Sequence, residues 1–265
     1  MKLPYFHVDA FADRPFTGNQ AAVLPLDEWL PDDVLQAIGA ENNFAETAFT
    51  VPDASAEADY ELRWFTPTHE VALCGHATLA SGHVLLTRDG GDGLTFRTRK
   101  AGMLQVRRAR EGYELTLPVT RVEPRANDKL LAALGCEGEV FESVSGAEQT
   151  AIVLLDSEAA VRALEPDMRV LREIDLMAIC TARGLQHDVV SRVFVPAWGV
   201  NEDSVTGSAH AALAPFWAGR LGRDSFTAYQ ASARSGVLGC RLEGDRVWLS
   251  GQCATVVEGT FYLSG

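Results

Sequence analysis

The order of apolar and polar positions along the chain predicts many short strands and only four helices. The predicted strands of the first half are rich in β-branched and aromatic residues and cover residues 4–11, 21–26, 47–51, 60–65, 94–99, 103–109 and 113–117. Those of the second half cover residues 140–143, 150–155, 189–195, 226–229, 237–242 and 246–249. Helices are predicted over residues 32–42, 75–86, 166–183 and 207–221. Strands and helices do not alternate strictly in either half, so a parallel, doubly wound sheet is not expected.

Two segments of the chain repeat one pattern. Residues 63–86 read RWFTPTHEVALCGHATLASGHVLL, and residues 192–217 read RVFVPAWGVNEDSVTGSAHAALAPFW. Each is a strand-like run that ends in proline, followed by a short polar loop, a glycine turn and a helix of small residues. Gly75 and Gly207 lie 132 positions apart, which is about half of the 265 residues. The chain is therefore interpreted as two fused copies of one unit.

A polar, proline-bearing stretch, PVTRVEPRAND at residues 118–128, predicts the boundary between the two copies. We expect an N-terminal lobe over residues 1–118 and a C-terminal lobe over residues 119–265. The length agrees with two domains, since a domain typically has roughly 100–200 residues. Two similar lobes create a cleft in which matching helix starts can face one ligand, so the active site is expected between them.

Composition and charge exclude several classes of function. The net charge of -13 disfavours nucleic acid as a partner, because phosphate binding needs clustered Lys and Arg. The N-terminus lacks the pattern of a signal peptide, and no run reaches the roughly 18 apolar residues of a membrane helix. None of the five cysteines forms a CxxC pair, so neither a disulfide framework nor a zinc site is indicated. We expect a cytoplasmic protein with no membrane partner.

The two glycine turns, CGHATLAS and TGSAHAAL, are candidate anion sites. Gly75 and Gly207 lie at predicted helix N-termini, where backbone N–H groups are unpaired and the helix dipole is positive. Each turn can therefore bind a carboxylate or an enolate oxygen. The alternative is two ordinary helix caps, and the occurrence of both at symmetric positions favours the anion site.

Five side chains near these turns are candidates for chemistry. Glu46 lies at the start of an apolar strand, where partial desolvation would raise its pKa and suit it to proton transfer. His76 follows the first glycine, where the helix dipole would favour the neutral imidazole. Asp203 precedes the second turn, and helix capping is its alternative role. Cys74 could be a thiolate at a helix N-terminus, whereas its counterpart Thr206 lacks an acidic proton. A symmetric two-thiol mechanism is therefore excluded.

Four separated motifs resemble, in order, the PhzF family of phenazine-biosynthesis-like isomerases. They are VDAFADRPFTGNQAAVL, NNFAETAF, FTPTHEVALCGHATLAS and SRVFVPAWGVNEDSVTGSAHAAL, and they cover most of the chain. The resemblance implies an α+β fold like that of diaminopimelate epimerase. That fold has two pseudo-symmetric lobes, each a mostly antiparallel curled sheet around a central helix.

The resemblance also implies roles for the candidate residues. Glu46 would be the general acid/base that moves a proton between carbons of an allylic substrate, and His76 and Asp203 would orient or assist that transfer. The residues expected to contact the substrate are Asn19, Gly75, Gly207 and Ser208. Cys74 and Thr206 fall near the positions of the two epimerase cysteines. Gln20 and Ser204 stand where the family often has proline.

The leading hypothesis is a cofactor-independent isomerase that acts on a small carboxylate-bearing substrate by general acid/base catalysis. The sequence carries no metal-ligand spacing and no phosphate loop. One alternative is an epimerase, racemase or dehydratase of an amino or hydroxy acid that uses Cys74. Another is a non-catalytic carboxylate-binding protein that kept the cleft. The family resemblance further suggests a homodimer.

Overall fold

The computed structural model describes residues 1–144 and 149–263, which divide into two units. The first unit comprises Met1–Thr116 together with the C-terminal segment that begins at Ser250, and the second is Leu117–Leu249. The division after Thr116 falls close to the expected boundary. The C-terminal segment differs from the expectation, because its strand pairs with the N-terminal strand of the chain and so belongs to the first unit.

The first unit is built mostly of strands, with two helices. Its elements are β1 (Lys2–Ala10), β2 (Asn19–Pro25), α1 (Asp32–Asn42), β3 (Glu46–Pro52), β4 (Tyr60–Phe65), β5 (Glu70–Val71), α2 (Gly75–Asp89), β6 (Gly93–Thr98), β7 (Met103–Arg108) and β8 (Tyr113–Pro118). Over its described residues, 117–144 and 149–249, the second unit has four helices, a short 3-10 helix at Pro196–Trp198 and more strands. Its elements are β9 (Val122–Pro124), α3 (Asp128–Leu134), β10 (Glu139–Ser143), β11 (Thr150–Leu154), α4 (Glu158–Arg162), α5 (Met168–Leu171), β12 (Met177–Arg183), β13 (Val189–Val195), β14 (Val200–Asp203), α6 (Gly207–Leu221), β15 (Ser225–Gln230), β16 (Gly236–Glu243) and β17 (Arg246–Gly251). The last strand, β18 (Cys253–Tyr262), returns to the first unit.

In the first unit, neighbouring strands pair in the order β18, β1, β2, β3, β4, β6, β7, β8. Two of these pairings, β2 with β3 and β4 with β6, are parallel, and the others are antiparallel. The short strand β5 forms an antiparallel hairpin with β4. The sheet is thus mostly antiparallel, as the sequence predicts.

Helix α2 occupies the centre of the first unit. It packs against β1, β2, β3, β6, β7 and β18, so the sheet curls around it. Small residues allow this close packing: at Gly82, a Cβ would approach Cγ1 of Val106 to 2.4 Å. Most of the side chains along α2 are buried. The expected central helix is therefore present in this unit.

The opposite side of the sheet is covered by α1. The helix begins after Pro31, with Asp32 in its first turn, where negative charge meets the positive end of the dipole. It ends at Asn43, whose left-handed φ of 51° stops the helix. Leu35 and Ile38 of α1 belong to a buried apolar cluster. The other buried members of that cluster are Leu3, Ala22, Leu24, Leu26, Phe49, Val51 and Phe65.

The second unit repeats the strand pairings of the first. Its order is β9, β10, β11, β12, β13, β15, β16, with parallel pairings of β11 with β12 and of β13 with β15. The hairpin of β13 with β14 corresponds to that of β4 with β5. Helix α6 follows this hairpin, as α2 follows the first. The internal repeat that the sequence predicts is therefore present in the backbone.

The predicted helix over residues 166–183 is wrong. Only Met168–Leu171 is helical, and Met177–Arg183 is strand β12, which lies between β11 and β13. Six of the seven residues of this strand are buried, because it is covered on both faces. A strand of this kind reads as a continuous apolar run without alternation, and periodicity alone does not distinguish that run from a buried helix.

Candidate active site

Glu46 is the first residue of β3. The parallel register of β2 and β3 places it beside Ala21, and Asn43 in its left-handed conformation turns the chain from α1 into the strand. The side chain of Asn42 donates a hydrogen bond to Oγ1 of Thr47 at 3.0 Å, which fixes the start of β3. The Glu46 side chain is 19% exposed. A partly desolvated carboxylate is thus held at the strand end.

His76 lies in the first turn of α2 and is almost fully buried. Its Nε2 is 3.3 Å from Oε2 of Glu46 and 3.2 Å from the backbone carbonyl oxygen of Gln20. A hydrogen on this nitrogen is donated to the Gln20 carbonyl oxygen, and the carboxylate lies beside it at ion-pair distance. Imidazole and carboxylate together form a pair suited to proton transfer.

The other ring nitrogen of His76 has two different neighbours. Its Nδ1 is 3.1 Å from Nδ2 of Asn19 and 3.5 Å from Sγ of Cys74. Asn19 is the first residue of β2, and Cys74 is the extended N-cap of α2, with φ of −142°. The structure therefore brings together four residues that the sequence singled out: Asn19, Glu46, Cys74 and His76.

Within residues 1–144 and 149–263, Glu46, Cys74 and His76 each have an atom of a kind that can bind a metal ion, and these atoms all lie within 4.8 Å of one another. Their arrangement does not fit a single ion. The thiol lies beside Nδ1 and the carboxylate beside Nε2, on opposite sides of one ring. One imidazole coordinates a given ion through one nitrogen, so thiol and carboxylate cannot complete the same site without turning the ring. The group is better suited to moving protons than to holding a metal.

The second unit holds a separate group around Asp203, at the end of β14. The hydroxyl of Thr206 donates to Oδ2 of Asp203 at 2.6 Å, and the backbone N–H of Ser204 donates to Oδ1 at 2.9 Å. Gln230, which is fully buried, accepts a hydrogen bond from the N–H of Thr206 at 2.9 Å. The amide of Gln230 also donates to the carbonyl oxygen of Asp203 at 2.8 Å. A carboxylate, a hydroxyl and an amide thus form one connected cluster.

The remaining predicted contacts lie at the start of the two long helices. Gly75 and Gly207 are the first residues of α2 and α6, each of 15 residues, and both are buried. Neither N-cap residue, Cys74 or Thr206, caps its helix with a side-chain hydrogen bond. Ser208 is half-buried, with its hydroxyl 4.0 Å from the sulfur of Met177. Both helix starts therefore keep the dipole and backbone geometry that favour an anion.

A partly buried ion pair holds each turn against its strand. In the first unit, Arg63 donates two hydrogen bonds to the carboxylate of Glu70, at 2.8 and 2.9 Å. In the second, Arg192 does the same to Glu202, at 2.7 and 2.9 Å. The bonds from Arg63 lower the pKa of Glu70 and keep it ionised. Since the glutamates lie on β5 and β14, these pairs fix the strands that lead into Cys74 and Thr206.

These arginines, the two glutamates and Gln230 were not predicted from the sequence. The ion pairs were detectable, because Arg63 and Arg192 open the repeated segments and a glutamate follows in each loop. Gln230 carried no such signal, since it reaches the turn only through the parallel pairing of β13 with β15.

The other four cysteines lie outside the two groups. All five are free thiols. Burial raises the pKa of Cys136, Cys180 and Cys240, and that of Cys253 to about 12. These four thiols are therefore protonated at neutral pH and poor nucleophiles.

A family model described as phenazine biosynthesis-like protein (PhzC-PhzF) matches residues 8–259. The chain belongs to this family. The match spans both units and includes every residue of the two groups described above. The resemblance on four sequence motifs is thereby confirmed.

Relatives within the PhzF family agree with this assignment. An uncharacterised isomerase of Pseudomonas aeruginosa is 48% identical over 268 residues, covering 99% of this chain and 100% of the relative. A crystal structure of a PhzF-family phenazine biosynthesis protein from Enterococcus faecalis has 40% identity and a TM-score of 0.88, covering 99% of this chain and 100% of that chain. This PhzF chain is accordingly an enzyme of an isomerase family.

The fold is shared beyond the PhzF family. A hydroxyproline epimerase from Agrobacterium vitis has a TM-score of 0.66 at 13% identity, covering 98% of this chain and 92% of that one. The predicted epimerase-like α+β fold is confirmed. Among the residues that the structure describes, no helix is both long and apolar enough to cross a membrane.

Proposed function

We propose that this PhzF-family chain is a cofactor-independent isomerase that moves a proton on a small carboxylate-bearing substrate, with Glu46 as general acid/base. The observation that carries the proposal is the contact of Oε2 of Glu46 with Nε2 of His76 at 3.3 Å, beside the start of α2. A base must lie within reach of the transferred proton and be held in place by its neighbours. Strand β3 and the imidazole supply that support.

In this proposal, Glu46 removes a proton from a carbon next to an electron-withdrawing group and returns it to another carbon. His76 keeps its Nε2–H on the Gln20 carbonyl oxygen and its ring against the carboxylate oxygen of Glu46. During the transfer, this N–H can turn from the Gln20 carbonyl oxygen to the Glu46 carboxylate, since the two oxygens lie 3.2 and 3.3 Å from Nε2. The base is thus oriented without being blocked.

The first turn of α2 supplies the second element of the proposed chemistry. Removing a proton next to a carbonyl or carboxyl group leaves negative charge on oxygen. Backbone N–H groups at a helix N-terminus stabilise such charge, because they are oriented before the reaction begins. Gly75 permits close approach of the ligand there, which supports a carboxylate or enolate in contact with this turn.

Asp203, Gly207 and Ser208 enter the proposal through the sequence-based prediction that both units serve one substrate. The short bond from Thr206 and the N–H of Ser204 hold the Asp203 carboxylate in one orientation. A fixed carboxylate of this kind can orient a polar substrate group or assist a proton transfer. The expected homodimer likewise stays a prediction.

A thiol-dependent epimerase is the second candidate, because Sγ of Cys74 lies 3.5 Å from the imidazole. Two features count against it. Thr206 takes the equivalent place in the second unit, so a second thiol is missing from the matching turn. In addition, Nδ1 of His76 faces the donor nitrogen of Asn19 as well as the thiol.

The deciding experiment is deuterium incorporation from heavy water into a panel of cyclic and acyclic α-substituted acids, followed by mass spectrometry. Incorporation into one compound that Glu46→Gln abolishes and Cys74→Ser retains supports the proposal. Glu41→Gln is the matched control, because Glu41 is an exposed residue of α1. Abolition by Cys74→Ser with retention in Glu46→Gln would establish the thiol mechanism instead. Binding of a compound without turnover in any variant would indicate a non-catalytic protein.

A further inference from the structure

The imidazole of His76 has neighbours on both ring nitrogens, and they differ in their hydrogen-bonding capacity. Nε2 faces the carbonyl oxygen of Gln20 and the carboxylate of Glu46, at 3.2 and 3.3 Å. Nδ1 faces the amide nitrogen of Asn19 at 3.1 Å. His76 and Asn19 are both buried, so water is not an easy substitute for these contacts.

The neighbours of Nε2 decide where one ring hydrogen lies. The carbonyl oxygen of Gln20 can only accept a hydrogen bond. If Nε2 carried a lone pair, it would face this oxygen at 3.2 Å with no hydrogen between them. The hydrogen of the neutral ring therefore lies on Nε2.

The neighbour of Nδ1 decides whether a second hydrogen is present. The amide nitrogen of Asn19 can only donate, so Nδ1 must accept and carry a lone pair. Turning the amide over would place its oxygen against Nδ1 and would require a hydrogen there, which makes the ring a cation. With its nitrogen toward the ring, the Asn19 amide is therefore compatible only with a neutral imidazole.

We propose that Asn19 is a positioning residue that holds His76 as the neutral Nε2–H tautomer, with that hydrogen donated to the Gln20 carbonyl oxygen and Nε2 beside the carboxylate of Glu46. This assigns Asn19 a task beyond the substrate contact that the sequence analysis expects. The consequence for catalysis rests on the proposed function of Glu46, whereas the tautomer itself does not.

The same arrangement assigns a role to Cys74. A thiolate at 3.5 Å from Nδ1 would need a hydrogen on that nitrogen, as in a thiolate–imidazolium pair. Asn19 already donates to Nδ1, so the imidazole is not available as the base for the thiol. Cys74 is then a neutral packing neighbour of the ring rather than a nucleophile.

The chain contains an internal reference for the test. His210, in α6 of the second unit, is fully buried, and its Nδ1 donates to the carbonyl oxygen of Thr206 at 2.7 Å. Its Nε2 has no hydrogen-bond partner and carries the lone pair. His210 is therefore the opposite tautomer, with the hydrogen on Nδ1.

The test is long-range proton–nitrogen correlation spectroscopy of protein labelled with ¹⁵N in histidine, at neutral pH and without substrate. The method distinguishes a protonated from an unprotonated ring nitrogen. The resonances of His76 and His210 are assigned by their loss in His76→Gln and His210→Gln. We expect Nε2–H and unprotonated Nδ1 for His76, and the reverse for His210. A hydrogen on Nδ1 of His76 in the unaltered protein would overturn the proposal.

Asn19→Asp supplies the second arm. The introduced carboxylate can only accept, so we expect a second hydrogen on Nδ1 and a charged ring, with the His210 signals unchanged as a measure of intact folding. If Nδ1 stays unprotonated while His210 is unchanged, Asn19 does not control the ring and the proposal is wrong. Should Asn19→Asp fail to fold, Asn19→Ser, which keeps a hydroxyl donor, is expected to preserve the Nε2–H tautomer. Loss of that tautomer in folded Asn19→Ser would equally contradict it.

The result is independent of the deuterium exchange experiment. The spectra need no substrate, so a confirmed tautomer with no exchange in any compound would refute the proposed function and leave the role of Asn19 intact. Exchange that depends on Glu46, with Nδ1–H in His76, would do the opposite.

Discussion

The turn between β5 and α2 and the turn between β14 and α6 share one frame but carry different groups. An arginine–glutamate ion pair precedes each turn. In the first unit the guanidinium of Arg63 lies 4.9 Å from the ring centroid of Phe65, and in the second that of Arg192 lies 4.9 Å from the ring centroid of Phe194. Each helix begins after an extended N-cap and runs for 15 residues. The carbonyl oxygen of each N-cap accepts a side-chain hydrogen bond from Thr78 or His210.

The groups placed on this frame differ in chemistry. The first turn carries an imidazole against a carboxylate, with a thiol and an amide on the other ring nitrogen. The second carries a carboxylate that is bonded to a hydroxyl, with a buried amide behind it. Backbone geometry, helix dipole and ion pair are thus common to the two copies, and the residues proposed to transfer the proton are not. The difference favours one base over a symmetric pair.

The largest expected effect tests this asymmetry directly. Glu46→Gln should lower the rate of deuterium exchange by on the order of 10³-fold, because an amide cannot act as the base. Asp203→Asn should cost only on the order of 10-fold, since we expect it to orient rather than to transfer. The measurement is the initial exchange rate at saturating substrate. Equal losses in the two variants would mean that both units supply a base.

The two ion pairs should differ in their contribution to stability. Arg63→Met removes a buried guanidinium from Glu70, which keeps Arg99 at 3.4 Å, and should lower the free energy of unfolding by about 1–3 kcal/mol. Arg192→Met should cost less, because the Arg192 side chain is 14% exposed against 2% for Arg63, which also contacts Asp32. Urea denaturation measures both. The control is Arg169→Met, at a side chain 91% exposed, which should change stability by less than about 0.5 kcal/mol. A larger loss from Arg192→Met would reverse the ranking.

Acid should destabilise the protein through His210. The residue at the equivalent position of α2 is Thr78, which does not titrate. Burial lowers the pKa of His210 to about 4 from 6.5. The unfolded chain therefore binds a proton below about pH 6.5 that the folded protein does not bind until about pH 4, so stability falls as pH falls through that window. The shift corresponds to about 3 kcal/mol at most. Denaturation at several pH values should show a smaller slope in His210→Gln, and an unchanged slope would exclude this residue as the cause.

The smallest expected effect concerns the thiol. Cys74→Ser should retain the exchange rate within about fivefold, because the thiol is a packing neighbour of the imidazole in this mechanism. Cys240→Ser, at a buried thiol of the second unit, is a control for non-specific loss of packing. If Cys74→Ser still folds and loses as much exchange rate as Glu46→Gln, the thiol takes part in the reaction.

Local signals predicted the parts of the fold that depend on local interactions. The strands 60–65 and 189–195 and the helix 207–221 agree with the structure residue by residue. Pro67 and Pro196 follow the two strands, and Gly207 and Gly222 mark the ends of the helix. The helix predicted over 166–183 failed for the opposite reason. Strand β12 is defined by its two neighbours in the sheet, and nothing in its own composition reports them.

The candidate site followed the same division. Glu46, Cys74, His76 and Asn19 were found because they lie in motifs, and the structure confirms that they are neighbours. Their hydrogen bonds could not be predicted from the sequence, because Asn19 reaches Nδ1 of His76 only where β2 packs against α2. Gln230 shows the limit most clearly: a buried amide became part of the Asp203 group through pairing between strands distant along the chain.

The pairing of β18 with β1 has a consequence for the time course of synthesis. The partner of Lys2 is Tyr262, which is synthesised 260 residues later. At a synthesis rate of roughly 5–20 residues per second, the edge of β1 stays without its partner strand β18 for on the order of ten to fifty seconds. The second unit, which is continuous in sequence from Leu117 to Leu249, can form during that interval. The unit that carries Glu46 and His76 is thus started first and completed last.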